Sequence, residues 1–112
     1  MRRPIHPCVY ILASRRNGTL YTGVTGNLVE RMRRHLVAKS GFCAEYNVRQ
    51  LVYFEAHGRI EGAIMREKRI KRWRRVWKLE LIETVNPEWD NLWTPLESKR
   101  LDLERFLVAP SR

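Results

Sequence analysis

The sequence predicts an α+β fold in which a small three-stranded antiparallel sheet is flanked by helices in the order ββαβααα. Three observations carry this. An Asn17-Gly18 turn joins two short β-rich runs, a third such run lies at residues 48–56, and long segments with helical spacing follow each part of the sheet. At 112 residues, with 44% hydrophobic content and eleven aromatics, the chain suits one compact unit with a modest core. We therefore expect a single domain over 1–112, with its core at about 7–93 and a C-terminal helix at 95–108.

Residues 7–14 (PCVYILAS) are apolar on both faces, and residues 19–24 (TLYTGV) resume the pattern after the turn, so the pair reads as a hairpin. If Arg15 to Gly18 form the loop, Leu12 faces Tyr21 and Tyr10 faces Gly23. That register puts Tyr10 and Tyr21 on one face as diagonal neighbours, roughly 7–8 Å apart at Cα. Asn27 followed by Glu30, with Leu28, Met32 and Leu36 at helical spacing, predicts a helix over 28–39 that Ser40-Gly41 ends.

A helix from Ile60 to Arg75 follows the third strand, with Ile60, Ala63, Ile64 and Ile70 as its apolar stripe. A shorter one spans Val76 to Thr84. Asn86-Pro87 interrupts regularity because proline disfavours helix in the residue before it. Thr94-Pro95-Leu96-Glu97 combines an N-cap, a proline at the first helical position and a glutamate at the third, which opens the last helix. Trp73 with Trp77, and Trp89 with Trp93, read as packing residues that fasten the later helices to the sheet.

Charge is unevenly spread. Residues 59–75 hold eight basic and two acidic side chains, a net of +6 within a chain of net +10. Such a segment attracts polyanions through counterion release, although a solvated helix face would account for it as simply. No run approaches the ~18 apolar residues of a membrane span, and Cys8–Ala13 is too short for a signal-peptide core, so a cytoplasmic location without membrane association is expected. Cys8 and Cys43 lack metal-binding spacing and are expected to be free thiols.

Chemistry-bearing residues stand out at three places. Tyr10 and Tyr21 flank Gly23, whose missing side chain leaves room for a bulky group to approach the backbone. Arg31 and His35, one helical turn apart, can point at one place, the first suited to phosphate oxygens and the second to proton transfer. Arg33 and Arg34 read as solvent-facing. Glu67 projects from the apolar stripe of a basic helix and needs a partner, either Lys71 four residues on or a divalent cation. Plain structural roles compete at each position, two strand tyrosines alone being ordinary half-buried aromatics.

Taken together, these residues resemble the GIY-YIG nuclease superfamily, and within it the small bacterial proteins that consist of little beyond that domain. The first signature corresponds to Cys8-Val9-Tyr10 and the second to Tyr21-Thr22-Gly23. Arg31 with His35, Glu67 and Asn86 follow in the family's order. Two tyrosines eleven apart and an arginine ten further on, ahead of a glutamate in a basic helix, rarely coincide. Cys8 and Thr22 depart from the pattern without removing a reactive group.

The resemblance implies a metal-dependent endonuclease that hydrolyses phosphodiester bonds of nucleic acid, most simply DNA, with a role in repair or recombination as one expectation. Tyr21, with His35, would deprotonate the attacking water, Tyr10 would orient it, and Arg31 would neutralise the transition state. Glu67 would hold one Mg²⁺ or Mn²⁺, and Asn86 would support the site. Lys68, Arg69, Lys71, Arg72, Arg74 and Arg75 would contact phosphates. The alternative is a nucleic-acid-binding module that keeps the fold without catalysis. A basic protein-interaction domain ranks behind both, and no obligate protein partner is inferable.

Overall fold

The computed structural model describes residues 6–108, the side chain of Glu104 excepted. The expected hairpin forms from β1 (Cys8–Ala13) and β2 (Leu20–Thr25), with Asn17 in the left-handed region at φ 58°. β3 (Gln50–Ala56) pairs with the other edge of β1, giving an antiparallel sheet of order β2-β1-β3. Leu12 faces Tyr21 and Tyr10 faces Gly23, the register that an even loop requires.

Every residue of β1 is fully buried, because helices cover both faces of the sheet. Cys8, Tyr10 and Leu12 point to a layer made by α1 (Leu28–Val37), α2 (Phe42–Glu45) and α5 (Trp93–Glu97). Val9, Ile11 and Ala13 point to the opposite layer, made by α3 (Ile60–Arg72) and α4 (Arg75–Val85). A bulge between β1 and β3 shifts the register so that Leu12 pairs with Leu51 while Ile11 pairs with Tyr53. The extra residue lets Leu51 and Phe54, three apart, serve the same core, and Val52 and Tyr53 serve the other. Burying one such aliphatic or aromatic side chain is worth about 1.5–3 kcal/mol, so the central strand is the anchor of the fold.

Three expectations are corrected. The last helix is only Trp93–Glu97, not 95–108: Lys99 turns left-handed at φ 61°, and Leu103–Phe106 forms a 3-10 turn. The chain is drawn back to the sheet, where Phe106 lies 4.3 Å from Phe54 between ring centroids and Val108 N–H donates to Ala56 O at 2.9 Å. Tertiary contacts therefore outweigh the local propensity for helix. The segment after α1 contains the short α2 where no helix was expected. Of the four tryptophans, Trp89 and Trp93 are buried as expected, but Trp77 is 50% exposed and packs edge-on against the half-buried Trp73. Both cysteines are free and buried. Among the described residues no helix is long and apolar enough to cross a membrane.

Candidate active site

The site is built from the two strands of the hairpin and from α1. Asn27 caps α1 by accepting from Glu30 N–H at 3.2 Å, and Leu28 and Met32 bury its inner stripe, which turns Arg31 and His35 toward the hairpin. The other end is tied down by Arg49. Its guanidinium donates to the carbonyls of His35 at 2.7 Å, Leu36 at 3.2 Å and Ala38 at 2.9 Å, filling the carbonyl positions that a helix end leaves open. Nothing in the sequence marked Arg49 for this, since its contacts are set by where β3 begins relative to α1.

Tyr10, Tyr21 and His35 meet as a triangle of rings. Their centroids are 6.2 Å apart between the tyrosines, 5.9 Å from Tyr10 to His35 and 5.7 Å from Tyr21 to His35. The Tyr10 hydroxyl and His35 Nε2 are hydrogen-bonded at 3.0 Å. Gly23 makes the triangle possible, because a Cβ there would stand 2.5 Å from Cζ and Oη of Tyr10. The space over this glycine is therefore filled by Tyr10's own ring, where the sequence suggested room for an incoming group.

Burial separates the two phenols. Tyr10 is wholly enclosed, and its hydroxyl is pushed above the usual phenol range first by burial and then by the adjoining Tyr21, with Arg31 acting in the opposite sense. Tyr21 instead lines an open pocket of about 360 Å³ together with Arg31, His35, Phe42 and Cys43. Burial, followed by the nearby cations Arg31 and Arg49, moves the His35 imidazole below its ordinary value, so the ring is neutral near pH 7. Arg34, read from sequence as solvent-facing, reaches the pocket rim while pairing with Glu30.

The remaining expected site residues lie on other parts of the molecule. Glu67 belongs to α3, which packs on the opposite sheet face, and its carboxylate is 3.0 Å from Lys71 Nζ with only 12% of the side chain exposed. The plainer of its two candidate partners is thus in place. Asn86 is a buried latch: its amide nitrogen donates to the carbonyls of Val52 and Asp90, both at 2.9 Å, and its oxygen accepts from Asp90 N–H at 3.0 Å. Both amide protons are committed to protein carbonyls, which gives it a role in holding α4 to β3. Lys68, Arg69, Arg72 and Arg74 are exposed on the α3–α4 side, away from the pocket. Arg75 instead pins the hairpin turn by donating to the carbonyls of Asn17 at 2.8 Å and Gly18 at 2.6 Å.

Two features of this arrangement coincide with a known domain: a phenol pair on adjacent strands around an obligatory glycine, and an Arg-His pair one turn apart on the following helix. The family model for the GIY-YIG catalytic domain matches residues 6–80, well over half of the chain. The chain belongs to the GIY-YIG family. It is also similar to a UPF0213 protein of Syntrophus aciditrophicus (strain SB), with 39% identity over 84 residues that cover 71% of this chain and 92% of the relative. No solved structure matches the chain significantly. GIY-YIG domains are endonuclease domains that act on DNA, and they typically use divalent metal ions.

The residue expected to hold such an ion is Glu67. Among the described residues, no three His, Cys, Asp or Glu side chains gather into a ligand set. Glu67 fits the mode in which Mg²⁺ takes a single carboxylate and completes its shell with water and phosphate oxygens, provided that it exchanges Lys71 for the ion.

One cluster escaped the sequence reading altogether. Glu55 on β3 is 2% exposed and accepts from the Tyr53 hydroxyl at 2.6 Å and from Arg66 Nε at 3.1 and 3.2 Å, while His57 Nε2 lies 2.6 Å from its second oxygen. Arg66 in turn stacks over Trp73, 5.1 Å from the ring centre. The signal was present as a carboxylate within the otherwise apolar run LVYFEA.

Proposed function

We propose that the protein is a metal-dependent endonuclease that hydrolyses phosphodiester bonds of DNA in the pocket beside Tyr21. The observation that carries this reading is the contrast between the enclosed Tyr10 and the pocket-lining Tyr21, joined through a neutral His35. Hydrolysis needs a proton acceptor for water, compensation of charge on the phosphoryl oxygens and help for the leaving oxygen. Tyr21 passes its own phenolic proton to the neutral imidazole of His35 and, as the phenolate, takes the proton of the attacking water. Tyr10 keeps its own proton and holds the His35 ring in place through the 3.0 Å bond. Arg31, half-buried at the pocket wall, offers a fixed fork to the phosphoryl oxygens as charge develops.

Glu67 would hold one Mg²⁺ or Mn²⁺, and that ion would supply Lewis-acid polarisation of the phosphate and charge stabilisation at the leaving oxygen. β2 is the edge strand common to both layers, with Tyr21 on one face and α3 packed on the other, so a strand of substrate lying along β2 is the arrangement this reading requires. Lys68, Arg69, Lys71, Arg72 and Arg74 supply sequence-independent attraction for the rest of the polyanion, and Arg75 does so only through what its turn contacts leave free. Asn86 supports the site from behind by fixing α4 to β3.

The experiment is cleavage of supercoiled and branched DNA with and without Mg²⁺ or Mn²⁺ by the wild type, Tyr21→Phe, Arg31→Ala and Glu67→Ala. Metal-dependent cutting that each substitution abolishes is expected. Equal cutting by Glu67→Ala would remove the metal assignment. A wild type that binds DNA but never cuts it would leave a non-catalytic nucleic-acid-binding module.

A further inference from the structure

The pocket does not end at the catalytic groups. Beyond Tyr21 its wall continues into α2, where Phe42 lies 6.2 Å from Tyr21 and Tyr46 lies 4.8 Å from Phe42 between ring centroids. Phe42 is 47% exposed and Tyr46 is 52% exposed, whereas Leu28, Met32, Trp93 and Leu96 of the same layer are buried. Packing within the fold does not require them there, since the core contact of α2 is made by Cys43. Gly41, at φ 95°, takes a backbone conformation that other residues avoid, and it directs the chain into α2 immediately before Phe42. A row of three tilted rings thus runs outward from the pocket, with Arg31 and Arg34 beside its inner end.

Rings at such spacing, open on one side and next to cations, suit a nucleobase attached to a phosphate. Base stacking on an aromatic side chain is worth about 1–3 kcal/mol and needs a base that is free of its duplex neighbours. A second copy of this chain fits the row poorly, because each copy would bring its own Arg31 and Arg34, within a net charge of +10, against the same groups. We propose that Phe42 and Tyr46 form a stacking wall for an unpaired base next to the phosphate held at Tyr21 and Arg31. The substrate is then a nucleic acid with single-stranded character at the cut. This rests on the reading of the pocket as a phosphodiester site and adds to it the class of substrate.

The test measures binding in EDTA, where no cutting occurs, of a labelled 12-nucleotide single strand and of a 12-base-pair duplex. Phe42→Ala should weaken the single strand by about 5–150-fold, the factor that 1–3 kcal/mol represents, and the duplex by less than about twofold. Phe42→Trp should restore single-strand affinity, whereas Phe42→Leu, apolar but without a ring face, should not. Tyr46→Ala should act in the same direction as Phe42→Ala. Both residues are half exposed, so an unchanged melting temperature verifies that the fold is intact.

Loss of affinity for both probes alike, or for neither, overturns the stacking wall while leaving the phosphodiester site standing. A wild type that binds neither probe in a salt-dependent way overturns both. A dimer in sedimentation that Phe42→Ala dissolves, with oligonucleotide binding unchanged, assigns the face to self-association and overturns the proposal.

Discussion

The two faces of the sheet carry nearly the same side-chain types and use them in opposite ways. On the α1 side, Tyr10, Tyr21, His35 and Arg31 surround an open pocket, and one phenol lines it. On the α3 side, Tyr53, His57 and Arg66 surround the buried Glu55, and both carboxylate oxygens are engaged at 2.6–3.2 Å. The difference is the carboxylate. A buried charge is costly unless every donor around it is aligned, so the α3-side cluster is closed and rigid. On the α1 side, Arg31 and Arg34 line the pocket and no carboxylate is among its lining residues, which leaves it open to an anionic ligand. Burial raises acids on both faces: on the α3 side Tyr53 is held above the usual phenol range by burial and then by Glu55, and on the α1 side the Cys8 thiol is pushed up to about 12 by burial, with the same carboxylate adding to it.

Separating the two clusters by their readouts is the sharpest test of this comparison. Tyr21→Phe should lower cleavage by about 10²–10⁴-fold, the usual worth of a positioned proton acceptor, and leave the melting temperature unchanged. Glu55→Ala should do the reverse. Removing one partner from a buried ion pair costs about 3–5 kcal/mol, read as a lower denaturation midpoint, while cleavage per folded molecule persists at temperatures well below the melt. If Glu55→Ala abolished cleavage in protein that remained folded, the α3-side cluster would belong to the active site and the division between faces would fail.

Gly23 joins the two effects in one position. Gly23→Ala places a methyl group 2.5 Å from the Tyr10 ring, which is wedged within the core and has no free direction in which to move. We expect a loss of about 1–3 kcal/mol in stability together with a fall in cleavage, because the displaced phenol breaks its bond to His35. A stable and fully active Gly23→Ala would show that the ring triangle is not needed in this form.

The hairpin and its consequences were legible in the sequence because few physical factors decide them. An Asn-Gly turn and an even loop fix which residues share a face, and the Tyr10–Tyr21 pairing followed from that alone. Helical spacing likewise brought Arg31 and His35 to one side of α1. Glu67 was harder to read, since periodicity shows which face of a helix is turned inward but not which face of the sheet the helix covers. The turned-in face of α3 proved to be Ala63 and Ile70 with Glu67 between them, while Ile64 is 38% exposed. Glu55 and the C-terminal segment were missed because their fates depend on contacts distant in sequence: Arg66 and His57 for the one, Phe54 and Ala56 for the other. No local pattern encodes those.

The smallest expected effect concerns pH and again distinguishes the faces. His35 titrates below its ordinary value in the folded chain because burial, then Arg31 and Arg49, disfavour its cation. The unfolded chain takes up this proton near pH ~6.5, so it binds more protons than the native state just below that pH. Stability from this group is therefore complete above pH ~6.5 and declines as pH falls through the lower folded value. The acid limb of cleavage should follow the same titration and lie below pH ~6.5, since protonation removes the neutral ring that Tyr10 and Tyr21 share. Denaturation midpoints and cleavage rates measured from pH 5 to 8 check both statements, and His35→Gln should flatten the stability change across that window. An acid limb above pH ~6.5 would mean that a different group governs the reaction, and the neutral imidazole would lose its place beside the attacking water.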